Sequence, residues 1–393
     1  LLTQHYPIKQ STGLLEEMIR SDDETLSVEA YQLYRDDQGL LTAAPHALAS
    51  QNVGLRTRVV NELAAKPEEA DIQKALLAVC DNNEPRIAIS AMTHLAGQQH
   101  PKAFKQLSER LDQESNQQHQ SLLIKGMKQL KAPEVASFLL EYLLNNPLCQ
   151  YDKKQLLSII AKYRHRKTFA PLLAHLEMDE KHTTAIIKTL KTITGFDQSI
   201  EDFDEQSNDR SWLEKAHPFH DDLLLQLFQH LVDLKHHQSA ADLWTGLAWM
   251  QDTGSDQALA DATNVIQEDR LPLMIQALHY RLKRRSGPVE ALVKLLESKN
   301  SNIQFLAAES LALNAHSQGF AVLFAAVDYQ EHDQFRQRAV LALGHLADER
   351  SLEKILKLAE DKEHYLQEPA IEAIGHMGDS EHGEKIFKLI TRS

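Results

Sequence analysis

Apolar residues return every three to four positions along nearly the whole chain, which is the period of an amphipathic helix. In DQFRQRAVLALGHL the set Phe335, Ala339, Ala342, Leu343 and Leu346 falls on one helical face, while Gln334, Gln337, Arg338 and His345 fall mostly elsewhere. The tetrapeptide ADER interrupts the pattern. SLEKILKLAED then resumes it with Leu352, Ile355, Leu356 and Leu358. Ser351 or Asp348 is placed to cap this second helix by accepting a backbone N–H. The unit is helix, short turn, helix, in about 31 residues.

That unit comes back. AVLALGHLAD (339–348) is followed by AIEAIGHMGD (370–379), and AISAMTHLAG (88–97) looks like a third copy. Each carries a histidine at the matching place: His345, His376 and His94. In the last unit Leu366, Ala370, Ala373, Ile374 and Met377 form the first helix, with Ile386, Leu389 and Ile390 in the second. Ile303, Ala307, Ser310 and Leu311 fit the same frame, and so do Leu55, Arg56, Val59 and Leu63. The stretches beginning at Ser121, Gln155 and Leu271 are looser versions. Small residues recur mid-helix, where neighbouring helices must approach closely. The period predicts about ten helix pairs of roughly 35 residues each. The 14 glycines and 12 prolines are too few for an all-β fold with many tight turns.

The text Phe335-Arg336-x-x-Ala339-Val340-x-Ala342-Leu343-Gly344-x-Leu346-x-Asp348 resembles the first helix and turn of a HEAT repeat. It is most similar to the short bacterial type named after the phycobilisome-lyase subunits. The resemblance is strong in the two C-terminal units and partial at Leu55 and Ala88, where Thr93 stands for Gly344 and Gly97 for Asp348. From 120 to 300 only the period matches. The resemblance implies an all-α, right-handed α-solenoid of HEAT-like helical hairpins. Such repeats are found in scaffolds, chaperone-like lyases, transport receptors and a few DNA-repair enzymes, so the fold alone does not name a function.

One region breaks the period. Residues 195–222, GFDQSIEDFDEQSNDRSWLEKAHPFHDD, are acidic and turn-rich. Gly195 suits a helix C-cap, and Trp212 is expected to pin the segment to the helices. TGFD…RSWLE is similar to a connector seen in some bacterial HEAT-repeat proteins. The expected organisation is therefore N-terminal repeats over 1–194, an irregular connector over 195–222, and helical hairpins over 223–393. Past the connector, DDLLLQLFQHLVDLKHHQSAADLWTGLAWM reads as longer helices carrying two tryptophans.

Composition narrows the function. Apolar residues make up 42% of the 393 and charged residues 25%, a globular balance. The net charge of −14 argues against nucleic-acid binding by bulk attraction. The two cysteines, Cys80 and Cys149, read as buried free thiols, which fits a reducing, cytoplasmic setting. No apolar run approaches the roughly 18 residues of a membrane span. The opening LLTQHYPIKQ has neither the basic lead nor the sustained apolar core of a signal peptide.

Candidate chemistry is thin. His345 and His376 could approach across adjacent helices, but zinc needs a third or fourth ligand, and only Asp348 and Asp379 are near. A polar residue at a helix end is the expected role. In HPFHDD (His217, His220, Asp221, Asp222), Asp221 or Asp222 is expected to cap a helix beginning at Leu223. His236 and His237 fall in an inter-helix turn. None of the G-x-S-x-G, P-loop, G-x-G-x-x-G, H-E-x-x-H or C-x-x-C patterns occurs. Trp244 and Trp249 with Asp242 and Asp252 are the one set that could imitate a HEAT-like DNA glycosylase. Their five-residue spacing does not place the two rings on one helix face.

Charge distribution says more. Between Lys125 and Lys191 there are twelve basic and six acidic residues, a local +6 in a chain of −14. Lys153, Lys154, Lys162, Arg164, Arg166, Lys167, Lys181, Lys188 and Lys191 form the candidate basic stripe, and RLKRR (Arg281 to Arg285) is a second knot. The expected function is a non-catalytic scaffold that binds a protein partner, an acidic or extended segment, on the concave face of the solenoid. No cofactor, metal or membrane is expected. The alternatives are a nucleic-acid-associated module using the basic stripe, or a lyase-like or glycosylase-like enzyme on the same fold.

Overall fold

The computed structural model of the chain describes residues 12–66, 69–146, 153–196, 220–250, 254–284, 289–328, 333–361 and 365–378. Cys149, Trp212, His217, Asp252, Arg285, Asp379, Ile386, Leu389 and Ile390 lie outside the described residues. Among the described residues every regular element is an α- or 3-10 helix, and there is no strand. The chain divides into two compact units, Leu1–Thr189 and Leu190–Ser393, with the division falling inside the helix Thr183–Thr194.

In the first unit, helices Thr12–Ile19, Glu24–Gln38 and Leu40–Leu48 precede a run of hairpins. Val53–Ala64 pairs with Ala70–Val79 and Pro85–Gly97 with Ala103–Gln113; Gln117–Met127, Glu134–Asn145, Lys153–Tyr163 and Phe169–Leu176 follow, with Glu134–Asn145 packed against Lys153–Tyr163. Local chemistry marks the starts. Asp23, Asn52 and Asn116 each accept a backbone N–H from the first turn of the helix they precede, satisfying donors that have no intrahelical partner. Pro85 opens its helix at a position where its missing N–H costs nothing.

The second unit holds Asp221–Asp233, Gly254–Ala262, Leu271–Arg284 with Val289–Leu295, Ser301–Ala312 with Phe320–Ala326, Asp333–Leu346 with Glu349–Glu360, and Gln367–Met377. The hairpin predicted from ADERSLEK is present. Asp348 accepts from the Arg350 N–H at 3.0 Å, and the helix begins at Glu349. Two local expectations differ. The stretch after Asp233 is not long helix but two short ones, His237–Ala241 and Trp244–Trp249. The second of these packs closely: a Cβ on Gly246 would lie 2.6 Å from Leu224 and 2.9 Å from Phe196. Asp221 and Asp222 sit inside the first turn, with His220 at the cap position. There they complement the positive helix end rather than cap it.

The core of each repeat is an apolar seam between helices. In the C-terminal repeats Ala339, Val340, Ala342, Leu343, Ile355, Ala359, Ala370, Ala373 and Ile374 are buried together. Pro85–Gly97 packs against Val53–Ala64 and Gln117–Met127, and in the second unit each first helix from Leu271–Arg284 onward packs against the next, whereas second helices touch one another far less. The tightest approach is at Gly344, where a Cβ would stand 2.5 Å from the Cα of Ala373. Gly319 is equally tight against the backbone of Ala308, within one repeat.

A left-handed residue ends most first helices. Gln99, Arg164, Lys235, Ala315 and Ala347 have φ between +46° and +61°, and Gly195 and Gly378 have φ of +84° and +67°. Behind several of them the chain closes a six-residue loop: His100 N–H to Leu95 C=O at 2.9 Å, Phe196 to Lys191 at 3.1 Å, His236 to Leu231 at 2.8 Å, and His316 to Leu311 at 2.9 Å. This is the Schellman termination, normally made with glycine. Here side-chain residues take the left-handed conformation at about 1 kcal/mol or more each, so the turn recurs without its usual sequence marker. It also exposes a phase error: His345 and His376 lie two residues before the left-handed residue, whereas His94 lies five before Gln99. His94 is therefore not their structural equivalent.

Gly344→Ala is expected to force the first helices apart and destabilise the C-terminal unit by about 1–3 kcal/mol, read from urea unfolding. Ala315→Gly is expected to act in the opposite direction, raising stability by up to about 1 kcal/mol in the same assay.

Candidate partner-binding surface

The nine basic positions singled out above do not share one environment. Lys153 opens its helix with its ammonium 2.9 Å from Asp179. Asp179 also accepts from His182 at 2.8 Å and lies 3.5 Å from His175. Burial alone would raise the Asp179 carboxyl, but its bonds to Lys153 and His182 outweigh that and hold it at about 2. Lys153 thus serves as an internal tie between the helices of one hairpin and the next turn. Lys154, Lys181 and Lys188 are exposed. Lys191 belongs to the second unit, where its ammonium sits 5.5 Å from the Phe196 ring centroid and burial pushes its pKa down against the pull of Asp242.

Lys162, Arg164, Arg166 and Lys167 are brought together at the turn between Lys153–Tyr163 and Phe169–Leu176. Hydrogen bonds stack this turn on its predecessors. Lys162 donates to the Lys128 carbonyl at 2.8 Å, and the Tyr163 hydroxyl lies 2.9 Å from the carbonyls of both Met127 and Leu130. One step earlier, the Gln99 amide donates to the Gln129 carbonyl at 2.8 Å and accepts from the Lys131 N–H at 2.8 Å. Lys102, Lys128 and Lys131 therefore join the same edge. The sequence marks KYRHRK as an exposed turn within the stripe, but it does not join Lys102, Lys128 and Lys131 to that turn. The signal of the edge was the bare turns themselves: GQQHPK, MKQLKAP and KYRHRKT hold no carboxylate.

A different surface lies on the row of first helices in the second unit. A groove of about 280 Å³ is lined by Pro272, Ile275, His279, Leu306, Leu313 and Arg338, among others. Leu313, 41% exposed, stands at its apolar edge. The rim is polar. Arg338 binds Glu309 through two nitrogens, with Nε to Oε1 at 2.7 Å, and His279 Nδ1 lies 3.2 Å from the Asn314 amide. The volume is below the usual range for a cofactor pocket, roughly 300 Å³ and upward, and suits one or two side chains.

The remaining candidates resolve into structure. Trp244 and Trp249 are 3% and 4% exposed, and Trp244 stacks on Tyr280 at 6.2 Å. Buried rings cannot take a flipped base between them. Arg281, the first residue of the RLKRR knot, is 2% exposed. It binds Asp256 and donates to the carbonyls of Leu247 and Met250, both at 2.9 Å. It is a buried tie rather than a surface cation. Cys80 is buried, and desolvation, helped by Asp81, pushes its thiol up to about 12. That is the signature of an inert core thiol.

The histidine pair is in contact. The His345 and His376 rings stack with centroids 3.9 Å apart and planes at 29°. Ring-nitrogen lone pairs lie in the ring planes, so nearly parallel rings point them side by side rather than at one ion. Among the described residues no three His, Cys, Asp or Glu side chains are grouped to hold a metal. Burial, followed by the charge of His376, holds His345 below the ordinary histidine value, and Glu372 opposes.

Residues 320–392 match the family described as HEAT repeats. This segment is a HEAT-repeat array. A solved structure of a Kap121p mutant matches with a TM-score of 0.51 and 11% identity, over 98% of this chain and 47% of that one. The chain thus spans under half the length of that protein. A structure from work on the interaction between cadherin and β-catenin matches with a TM-score of 0.42 and 16% identity, over 95% and 88% of the two chains. Human deoxyhypusine hydroxylase in complex with glycerol matches with a TM-score of 0.27 and 13% identity, over 94% and 97%. At 11% identity the Kap121p likeness concerns fold alone. No curated protein matches the sequence. The fold is an all-helical solenoid, and no described helix is long and apolar enough to cross a membrane.

The histidine stack has a pH consequence. The folded-state pKa of His345 is depressed, so the unfolded chain binds that proton more readily. The stabilisation is present above the unfolded value of about 6.5 and is lost as pH falls through it toward the folded value. Between about pH 7.5 and 5 the wild type is expected to lose more thermal stability than His345→Gln, as read from melting temperatures across that range.

Proposed function

We propose that this chain is a non-catalytic scaffold that binds an extended segment of a protein partner along the row of first helices. The observation that carries the reading is the groove at Pro272, Ile275, Leu306 and Leu313. It crosses consecutive first helices and combines an apolar floor with a polar rim, the composition of a side-chain anchor site. Close packing of consecutive first helices in the C-terminal unit supports a continuous first-helix surface there. A repeat array presents such a surface over many units without closing it into a pocket. A cytoplasmic setting belongs to the same proposal and rests on the inert thiol of Cys80.

The second reading is nucleic-acid binding through the basic positions Lys153 to Lys191. Its support is the local excess of positive charge in a chain that is otherwise strongly acidic. It is weakened by Lys153 and Lys191, whose ammonium groups are engaged inside the protein.

The test uses peptides selected from a random display library on the immobilised full chain. Selected peptides are expected to share a large apolar residue and to lose at least about tenfold in affinity on Leu313→Glu. That residue is exposed, so the fold is retained. If no peptide is enriched, or if enriched peptides ignore Leu313→Glu, the groove is not the binding site.

A further inference from the structure

We propose that the stacked turns at 97–102, 127–133 and 162–168 form a separate docking edge for an acidic, extended polypeptide segment. The edge belongs wholly to the first unit, whereas the first-helix groove belongs to the second, and it shares with the proposed function only the premise of a protein partner.

The edge is built, not accidental. Side chains of one turn bond to the backbone of the next: Gln99 with Gln129 and Lys131, Lys162 with Lys128, and Tyr163 with Met127 and Leu130. These bonds hold the three turns in register. Arg164 takes the left-handed conformation, φ +46°, at the head of its turn. Lys102, Lys128, Lys131, Arg166 and Lys167 are exposed on the result. Among the described residues no carboxylate lies within ion-pair distance of Lys102, Lys128, Lys131 or Lys167. The three turn segments contain no Asp or Glu; Glu134 follows immediately after the second.

Like charges so arranged repel one another, and an anionic ligand relieves that repulsion. The geometry selects its form. Packed helices repeat at about 8–10 Å, and an extended peptide advances about 3.3 Å per residue. Carboxylates at every third residue would therefore meet successive turns. A peptide fits better than a nucleic acid for two reasons. The chain's net charge of −14 repels a dense polyanion at long range. Tyr163, the aromatic residue on this edge, turns its hydroxyl onto backbone carbonyls and carries the Lys162 ammonium 5.7 Å from its ring, so it does not offer a free face for a base.

The experiment measures fluorescence anisotropy of the full chain against three labelled probes. One is a twelve-residue peptide with Glu at every third position, one is the same peptide with Gln for Glu, and one is a single-stranded oligonucleotide. The protein variants are Lys128→Glu/Lys131→Glu/Lys167→Glu and a control with equal charge change elsewhere, Lys74→Glu/Lys294→Glu/Lys299→Glu. All six lysines are exposed, and circular dichroism checks that each variant retains its helix content. The Glu peptide is expected to bind in a salt-sensitive way, to outcompete the Gln peptide, and to weaken at least about tenfold in the edge variant but under about twofold in the control. Three results overturn the proposal: no binding of the Glu peptide, equal loss in both variants, or tighter edge-dependent binding of the oligonucleotide. None of these bears on Leu313→Glu, so the groove and the edge fail separately.

Discussion

The backbone-to-backbone approach of consecutive first helices governs this molecule. At Gly344 and Ala373 there is no room for one additional carbon atom. Such contact is possible only where the facing residues are small, so alanine, glycine and serine recur in mid-helix. Once the helices approach that closely, everything else in the repeat follows. The larger side chains, Leu343 and Ile355 among them, are directed into the seam between first and second helices. The turns at the ends of the first helices are brought level with one another, near enough to exchange hydrogen bonds. The stacked histidines have the same origin: two residues at equivalent positions on touching helices meet ring to ring.

The same constraint separates ties from surfaces among the charged residues. Lys153, Lys191 and Arg281 are all cations in stretches of high positive charge, yet each is committed to the interior of its unit. Arg281 replaces its water with Asp256 and two backbone carbonyls. A buried cation so satisfied is strongly destabilising to truncate, by roughly 3–5 kcal/mol, because its partner is left uncompensated. Other cations are exposed, some on helices, such as Lys125, Lys154 and Lys188, and some on turns, such as Lys128, Lys131, Arg166 and Lys167. The boundary between architecture and recognition therefore runs through the basic residues themselves, not between basic and apolar ones.

Two surfaces of unlike chemistry result, each within its own unit. The groove at Ile275 and Leu306 is apolar with a neutralised rim, since Arg338 and Glu309 cancel. The turn edge at Lys128, Lys131 and Lys167 is cationic with little apolar area. The first favours burial of a side chain, which is short-ranged and insensitive to salt. The second favours attraction at a distance and is screened by salt.

The sequence by itself determined the helical class, the hairpin unit and its family in the last repeats, because these depend on the local period of apolar residues and on small residues at fixed spacing. The cap at Asp348 and the glycine termination at Gly195 were legible for the same reason: both are contacts within a few residues. Tertiary structure alone decided the rest. It showed that His94 is three residues out of phase with His345, because the left-handed terminations occur at Gln99 and Ala347, neither of which is a glycine. It buried Trp244, Trp249 and Arg281 and assembled Lys102, Lys128, Lys131 and Lys167 into one edge from three turns about 30 residues apart in sequence. Periodicity reports which face of one helix is apolar. It does not report what the neighbouring repeat places against that face, and exposure, pairing and charge clustering are all set there.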